Sequence, residues 1–308
     1  MACWIQGSAM TDLPHTGAPT NRFWRRFRRH KGAVIGGGLL ALILFAVLIG
    51  PFLWLHTSGQ INITARNLGP SLAHPMGTDH LGRDLFAAIL EGGRVTVLVG
   101  LVAMGLSVAI GTAVGILAGM FRWLDAPLMR LTDLFLALPV LPLLLVTIML
   151  WREKLRMLFG AEAGIFLLIV AMIGLTSWMQ TARILRAEVL ALKNREFVTA
   201  ATALGVRPWG LIRRHILPNV LGVIIVSATL GLANAIITES ALSFLGLGFP
   251  PDHPTWGRLL FDGTEYLTLT PARAIWPGLM ITLTVLCANY LGEGLRDALD
   301  PRRGFGRK

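Results

Sequence analysis

The sequence predicts an all-α, polytopic membrane protein with six transmembrane helices. Hydrophobic residues make up 54% of its 308 residues and charged residues only 15%. Mean hydropathy is +0.64, which excludes an ordinary soluble domain. Six apolar runs approach the roughly 20 residues that a hydrocarbon core requires. Basic residues crowd one set of the loops between those runs, as the positive-inside rule expects of a multi-span protein.

The first run, Ala33–Leu55, is uncharged and follows the basic cluster RFWRRFRRHK. It is too long for a signal-peptide core and no clean cleavage site follows, so it reads as an uncleaved anchor. Residues 1–21, rich in Gly, Pro and Thr, read as disordered. Val95–Phe121 is Gly-rich, and Leu134–Trp151 contains Pro139 and Pro142. Gly164–Met179 is short, Val220–Thr238 continues past Glu239 toward Leu247, and Ile275–Leu291 is last. These runs divide the chain into a basic tail (1–31), a first span (32–55), an outer segment (56–93), a core of five spans (94–303) and a short tail (304–308).

Orientation follows from the 28 Lys and Arg residues. Six lie in Arg22–Lys31, two at Arg122 and Arg130, seven across Arg183–Arg214 and five across Arg296–Lys308, so 20 share one side. Both termini and the loop at 182–218 are therefore expected in the cytoplasm. The net charge of +11 is an orientation signal, and the N-terminal cluster, abutting a span, suits anionic lipid better than nucleic acid.

Within that loop, Glu196 to Asn219 is a polar, basic insert between apolar runs. Phe197–Leu204 favours helix, Gly205 supplies a left-handed residue that ends it, and Pro208 suits the first turn of a second helix running to Leu217. Pro218 then opens the next span. Small residues at 199–203 would allow close approach by a partner. Trp209 and Leu211 would anchor it, with arginines at the rim.

On the other face, His74–Arg94 is punctuated by Pro75, Gly77 and Gly82, with Thr78 or Asp79 able to cap a helix. Leu85, Phe86, Ile89 and Leu90 form an apolar stripe. They predict a short surface helix that Gly92 and Gly93 bend into the second span. His74, Asp79, His80 and Asp84 match no metal-ligand spacing, so no metal site is assigned.

Glu239 is the one acid near membrane depth. With Ser240 it is a translocation-pathway candidate, the bland alternative being a carboxylate bonded to Thr238, Ser240 or Ser243. Arg130 and Asp133, three apart, read as a helical ion pair. No P-loop occurs, no histidine lies clearly inside a span, and no hydrolase motif is present, so no catalytic residue and no cofactor is assigned to this chain. Cys3 and Cys287 are too few for a disulfide framework.

Four stretches carry a resemblance. Ala200, Ala201, Gly205, Leu217 and Pro218 match the spacing of the EAA loop of ATP-binding-cassette (ABC) importer permeases. Thr199 stands where that loop has glutamate and His215 where it has isoleucine. Gly77-Thr78-Asp79, Gly82-Arg83-Asp84 resembles the G-T-D-x-x-G-R-D signature of the dipeptide, oligopeptide and nickel branch. Thr238–Gly248, followed by Trp256-Gly257, resembles its T-E-x-x-L-S-F-L-G-L-G and W-G motifs, and Gly292–Pro301 its C-terminal ending. The resemblance implies the type I importer fold and a permease for di- or oligopeptides in the bacterial inner membrane. It further implies a sister permease, an extracytoplasmic solute-binding protein and two ATPase subunits that bind ATP and Mg. It implies ATPase coupling through Glu196, Thr199, Ala200, Ala201, Gly205, Pro208, Trp209, Leu217 and Pro218. The runner-up, an ion- or proton-coupled carrier, should show mid-span charges, which this chain almost lacks.

Overall fold

The computed structural model describes residues 19–250 and 252–299, with side chains from Trp24 onward. Most of the expected disordered tail, Cys3, Pro251, Asp300-Pro301 and the 304–308 tail lie outside the described residues. Pro19–Asn21 already belong to a helix, α1 (Pro19–Arg29). The described residues are helical throughout, apart from turns and one isolated bridge between Thr78 and Asp84.

Five helices are long and apolar enough to cross a membrane. They are α2 (Lys31–Leu53), α3 (Leu85–Met120), α6 (Ala161–Lys193), the continuous stretch Pro208–Phe244, and α11 (Ala272–Leu299). The third expected span is instead a broken pair, α4 (Arg122–Ala137) and α5 (Val140–Phe159), bent by 85°. Pro139 causes the break. It pushes Leu138 into extended backbone, φ −77 and ψ 134, because its ring disfavours helical geometry in the residue before it. Counting the pair as one crossing restores six.

The predicted surface helix before the second span is absent as a separate element. Residues 85–120 form one 36-residue helix, capped by Asp84 rather than Thr78 or Asp79. Gly92 and Gly93 do not bend it; they let neighbours approach. A Cβ on Gly93 would lie 2.5 Å from Val47 and 2.6 Å from the Trp256 ring. Small residues at helix contacts are the usual membrane solution, since apolar side chains gain little from leaving lipid.

The same device organises the core. Gly111, Gly115 and Gly119 of α3 meet Thr181, Ala182, Leu185 and Val189 in order along α6, so the two helices run parallel. Gly36 meets Cys287, and a Cβ on Gly294 would fall 2.0 Å from that of Ala33, fixing α11 antiparallel to α2. Asp133 does not pair with Arg130: its partner is Arg183 on α6. Arg186 holds Asp125 with two bonds, Nη2 to Oδ2 being 2.7 Å. Both ion pairs tie α4 to α6. The bundle thus has two distinct ends. One gathers the α1–α2 junction, the end of α3, residues 194–220 and the end of α11. The other carries residues 54–84 and α10 (Trp256–Thr264).

Candidate coupling site

Helix α6 runs well beyond the expected limit at Met179, to Lys193. Lys193 Nζ donates to the carbonyls of Gly119 (3.1 Å) and Met120 (3.0 Å), the otherwise orphaned end of α3. This contact fixes where α7 (Glu196–Ala203) begins. Helix α7 ends as the sequence predicts. Gly205 has φ +80; its N–H bonds Thr202 O at 3.0 Å, and Val206 N–H bonds Ala201 O at 3.1 Å. Those two bonds are the Schellman closure. No heavy atom beyond the adjoining residues lies within 4 Å of an ideal Cβ at 205, so the requirement for glycine there is backbone geometry.

Pro208 begins α8 (Pro208–Leu211), as expected of a first-turn proline. Pro218 departs from expectation, because it does not open a new helix. A π turn at Ile212–Ile216 precedes it, and Leu217 N–H bonds Ile212 O. Helix α9 (Leu217–Phe244) then continues directly. The π turn takes up the register around the missing proline donor, and Asn219 Nδ2 donates to His215 O at 2.6 Å. Pro208–Phe244 is therefore one 37-residue stretch, about 55 Å long at 1.5 Å per residue.

The loop has an inner and an outer face. Val198, Ala201, Leu211, Ile212 and Ile216 are buried against Ile116, Leu185, Val189 and Val220. Ala201 and Leu211, expected to meet a partner, thus hold the loop to its own bundle, and Leu217 is half-buried beside them. Glu196, Thr199, Ala200, Gly205, Pro208, Trp209 and Pro218 are exposed. Thr199 Oγ1 donates back to Arg195 O and Glu196 O, so its hydroxyl is turned into its own helix. Glu196, in the first turn of α7, is the acid available at this surface. The reading from sequence missed Leu204, which is 85% exposed, as Trp209 is at 67%. Its signal was a leucine directly before the helix-ending glycine, in a loop otherwise polar.

Glu239 and Ser240 lie toward the opposite end, and neither reaches an open surface of the chain. Glu239 is wholly buried. Ser243 Oγ donates to its Oε1 at 2.7 Å, and the hydroxyls of Thr96 and Thr255 also reach the carboxylate. The geometry makes Glu239 a knot joining α9, α3 and the start of α10. Nearby, Trp256 is fully buried, its Nε1 donating to Ile89 O at 2.9 Å. Gly257 sits where a Cβ would be 2.3 Å from Ser240 O. Below this cap a cavity of about 230 Å³ is lined by Arg83, Asp262, Tyr266 and Arg273 among others. Burial raises the Asp262 carboxyl above its ordinary value, with Arg258 opposing.

Residues 111–304 match the family described as the binding-protein-dependent transport system inner membrane component. The chain belongs to this family. Residues 18–70 match the N-terminal transmembrane domain of oligopeptide transport permease C. A Brucella suis protein named as a peptide permease is 42% identical over 295 residues, 94% of each chain. The oligopeptide transport system permease protein OppC of Haemophilus influenzae is 39% identical, covering 90% of this chain and 87% of its own. The glutathione transport system permease protein GsiD of Pectobacterium atrosepticum is 34% identical, covering 98% and 99%. The permease is thus a multi-pass inner-membrane transport subunit of the ABC importer type, with the type I fold expected from its motifs.

Proposed function

We propose that this permease forms half of a translocation pathway for di- or oligopeptides, the other half being a sister permease. The family implies partnership with an ATPase and a binding protein. On this reading two ATP-binding subunits hold ATP and Mg, and an extracytoplasmic solute-binding protein delivers cargo. The chain has no catalytic residue of its own and needs no cofactor. Both termini and the 182–218 loop face the cytoplasm, in keeping with the 20 basic residues on that side. The names of the relatives support peptide cargo: they are a peptide, an oligopeptide and a glutathione permease.

One observation carries the coupling role. Exposed apolar residues flank a rigid glycine turn: Ala200 and Leu204 at the end of α7, and Trp209 in α8. Trp209 lies within the continuous stretch Pro208–Phe244, which begins directly after that turn. Exposed leucine and tryptophan on a basic loop are what a docking core needs. Closure of the ATPase pair would push these residues, and a continuous helix transmits the push along its length to the Glu239 knot at the far end. Glu196 and Pro208 frame these residues; Ala201 and Leu217 hold the loop in place from behind. The test is recovery of the ATP-binding subunit with the purified permease. Ala200→Glu and Leu204→Asp should each reduce recovery at least tenfold, whereas deletion of residues 1–18 should leave it unchanged. Undiminished recovery with both substitutions would remove the loop from the interface.

A further inference from the structure

The cap opposite the coupling loop brings together three side chains that lie far apart in sequence. His56 follows the end of α2, His74 lies in the intervening loop, and Asp84 is the N-cap of α3. One ligand atom from each lies within 4.8 Å of the other two. His74 Nδ1 is 3.5 Å from Asp84 Oδ2, and the His56 and His74 rings are 4.9 Å apart at their centroids. Of His74, Asp79, His80 and Asp84, to which the sequence assigned no metal site, only His74 and Asp84 come together. Asp79 Oδ1 accepts from the backbone of Leu81 and Arg83, each at 2.8 Å, and His80 stacks on Tyr266.

We propose that His56, His74 and Asp84 form a binding site for one divalent transition-metal ion of zinc-like chemistry. Two imidazoles and a carboxylate are a ligand set that Zn(II) accepts in tetrahedral geometry, leaving a position open to water. The 3.5 Å between His74 Nδ1 and Asp84 Oδ2 matches the spacing of two ligands bound to one ion at about 2.0–2.2 Å. His74 Nδ1 is buried and has no hydrogen-bond partner, a lone pair that a metal would satisfy.

The three ligands also stand on fixed backbone. Trp54 Nε1 donates to Asp84 Oδ2 at 2.7 Å, and Asp84 Oδ1 accepts from Phe86 N at 2.9 Å. These bonds orient the carboxylate, as outer-shell partners do in metal sites. Two residues beyond His56, Ser58 N donates to Glu91 Oε1 at 3.1 Å and Ser58 Oγ bonds the same carboxylate. His56 is thus held between two anchors to α3. The His74 carbonyl accepts from Ser71 N and Gly77 N, both at 2.9 Å. A bound ion would staple the end of α2, the intervening loop and the start of α3 into one unit.

The test uses full-length permease purified in detergent, stripped with chelator and titrated with Zn(II), then with Co(II) as an absorbing substitute. The wild type should take up one ion per chain, and its Co(II) spectrum should show the intense visible bands of a four-coordinate site. His56→Gln and Asp84→Asn should each weaken Zn(II) binding tenfold or more, on the order seen when metal-site partners are removed. Asn at 84 keeps an N-cap oxygen, so the start of α3 is preserved in that variant. His80→Gln, at a histidine outside the three-ligand cluster that stacks on Tyr266, should bind as the wild type. No uptake by the wild type, or unchanged affinity in both ligand variants, overturns the site; an octahedral Co(II) spectrum unchanged by His56→Gln shows an adventitious ion only and overturns it equally.

Discussion

Replacing Gly205 tests the coupling loop through backbone geometry alone. Its φ of +80 lies in the left-handed region, and an added Cβ meets no atom beyond the adjoining residues within 4 Å. Any effect of substitution must therefore come from the dihedral angle. Holding an L-residue there costs roughly 1–2 kcal/mol, most for a β-branched side chain and least for asparagine. Helix α7 has eight residues, too few to be stable unaided, so it depends on its closing turn and on the packing of Val198 and Ala201. If the ordered loop is the form that binds the ATPase, the apparent affinity falls by up to about 5–30-fold for 1–2 kcal/mol. The expected order is glycine, then asparagine, then alanine, then valine. The assay is equilibrium binding of the purified ATP-binding subunit to permease in nanodiscs, with each variant checked for normal membrane insertion. Equal affinity for Gly205→Asn and Gly205→Val would refute the dihedral argument, since their steric surroundings are the same.

Two other expectations concern the far end and the orientation. Glu239→Ala leaves Ser243, Thr96 and Thr255 without their acceptor in a buried site and should destabilise the purified permease by roughly 2–4 kcal/mol. Glu239→Gln retains an acceptor and should lose less than half of that; thermal unfolding in detergent distinguishes them, and equal losses would remove the hydrogen-bonded knot from the account. In a background lacking Cys3 and Cys287, Leu72→Cys should react with an impermeant maleimide in intact cells, and Leu204→Cys only after permeabilisation. Labelling of position 204 from outside, with position 72 reached only after permeabilisation, would reverse the topology.

The glycine turn and the first-turn proline of the coupling loop were legible because each depends on one residue's own dihedral preference. The order of the spans was legible because hydrocarbon thickness sets a length that composition reveals. What was not legible depended on neighbours distant in sequence. Gly92 and Gly93 have the local signature of a bend, yet Thr255 and Leu259 pack on the first and Val47 and Trp256 on the second. Asp133 had a basic residue one turn away, but Arg183 reaches it from α6. Ala201 and Leu211 face inward because the end of α3 lies beneath them; an eight-residue helix has too few turns for its pattern to declare a face. Pro218 looked like a boundary, and the π turn before it let the helix continue. Glu239 drew attention as an acid at membrane depth; bonds to Ser240 or Ser243 were legible as nearby hydroxyls, whereas those of Thr96 and Thr255 come from distant elements that only the fold brings in.

The central claim is that Ala200, Leu204 and Trp209 form the dock for the ATP-binding subunit, rather than the basic N-terminal helix at the same end of the bundle. Cysteine crosslinking in the assembled complex tests it most directly, comparing Leu204→Cys with Trp24→Cys, two exposed positions, in the cysteine-free background. The account predicts a crosslink to the ATP-binding subunit from position 204 and none from position 24. A crosslink from position 24 with none from 204 would contradict it.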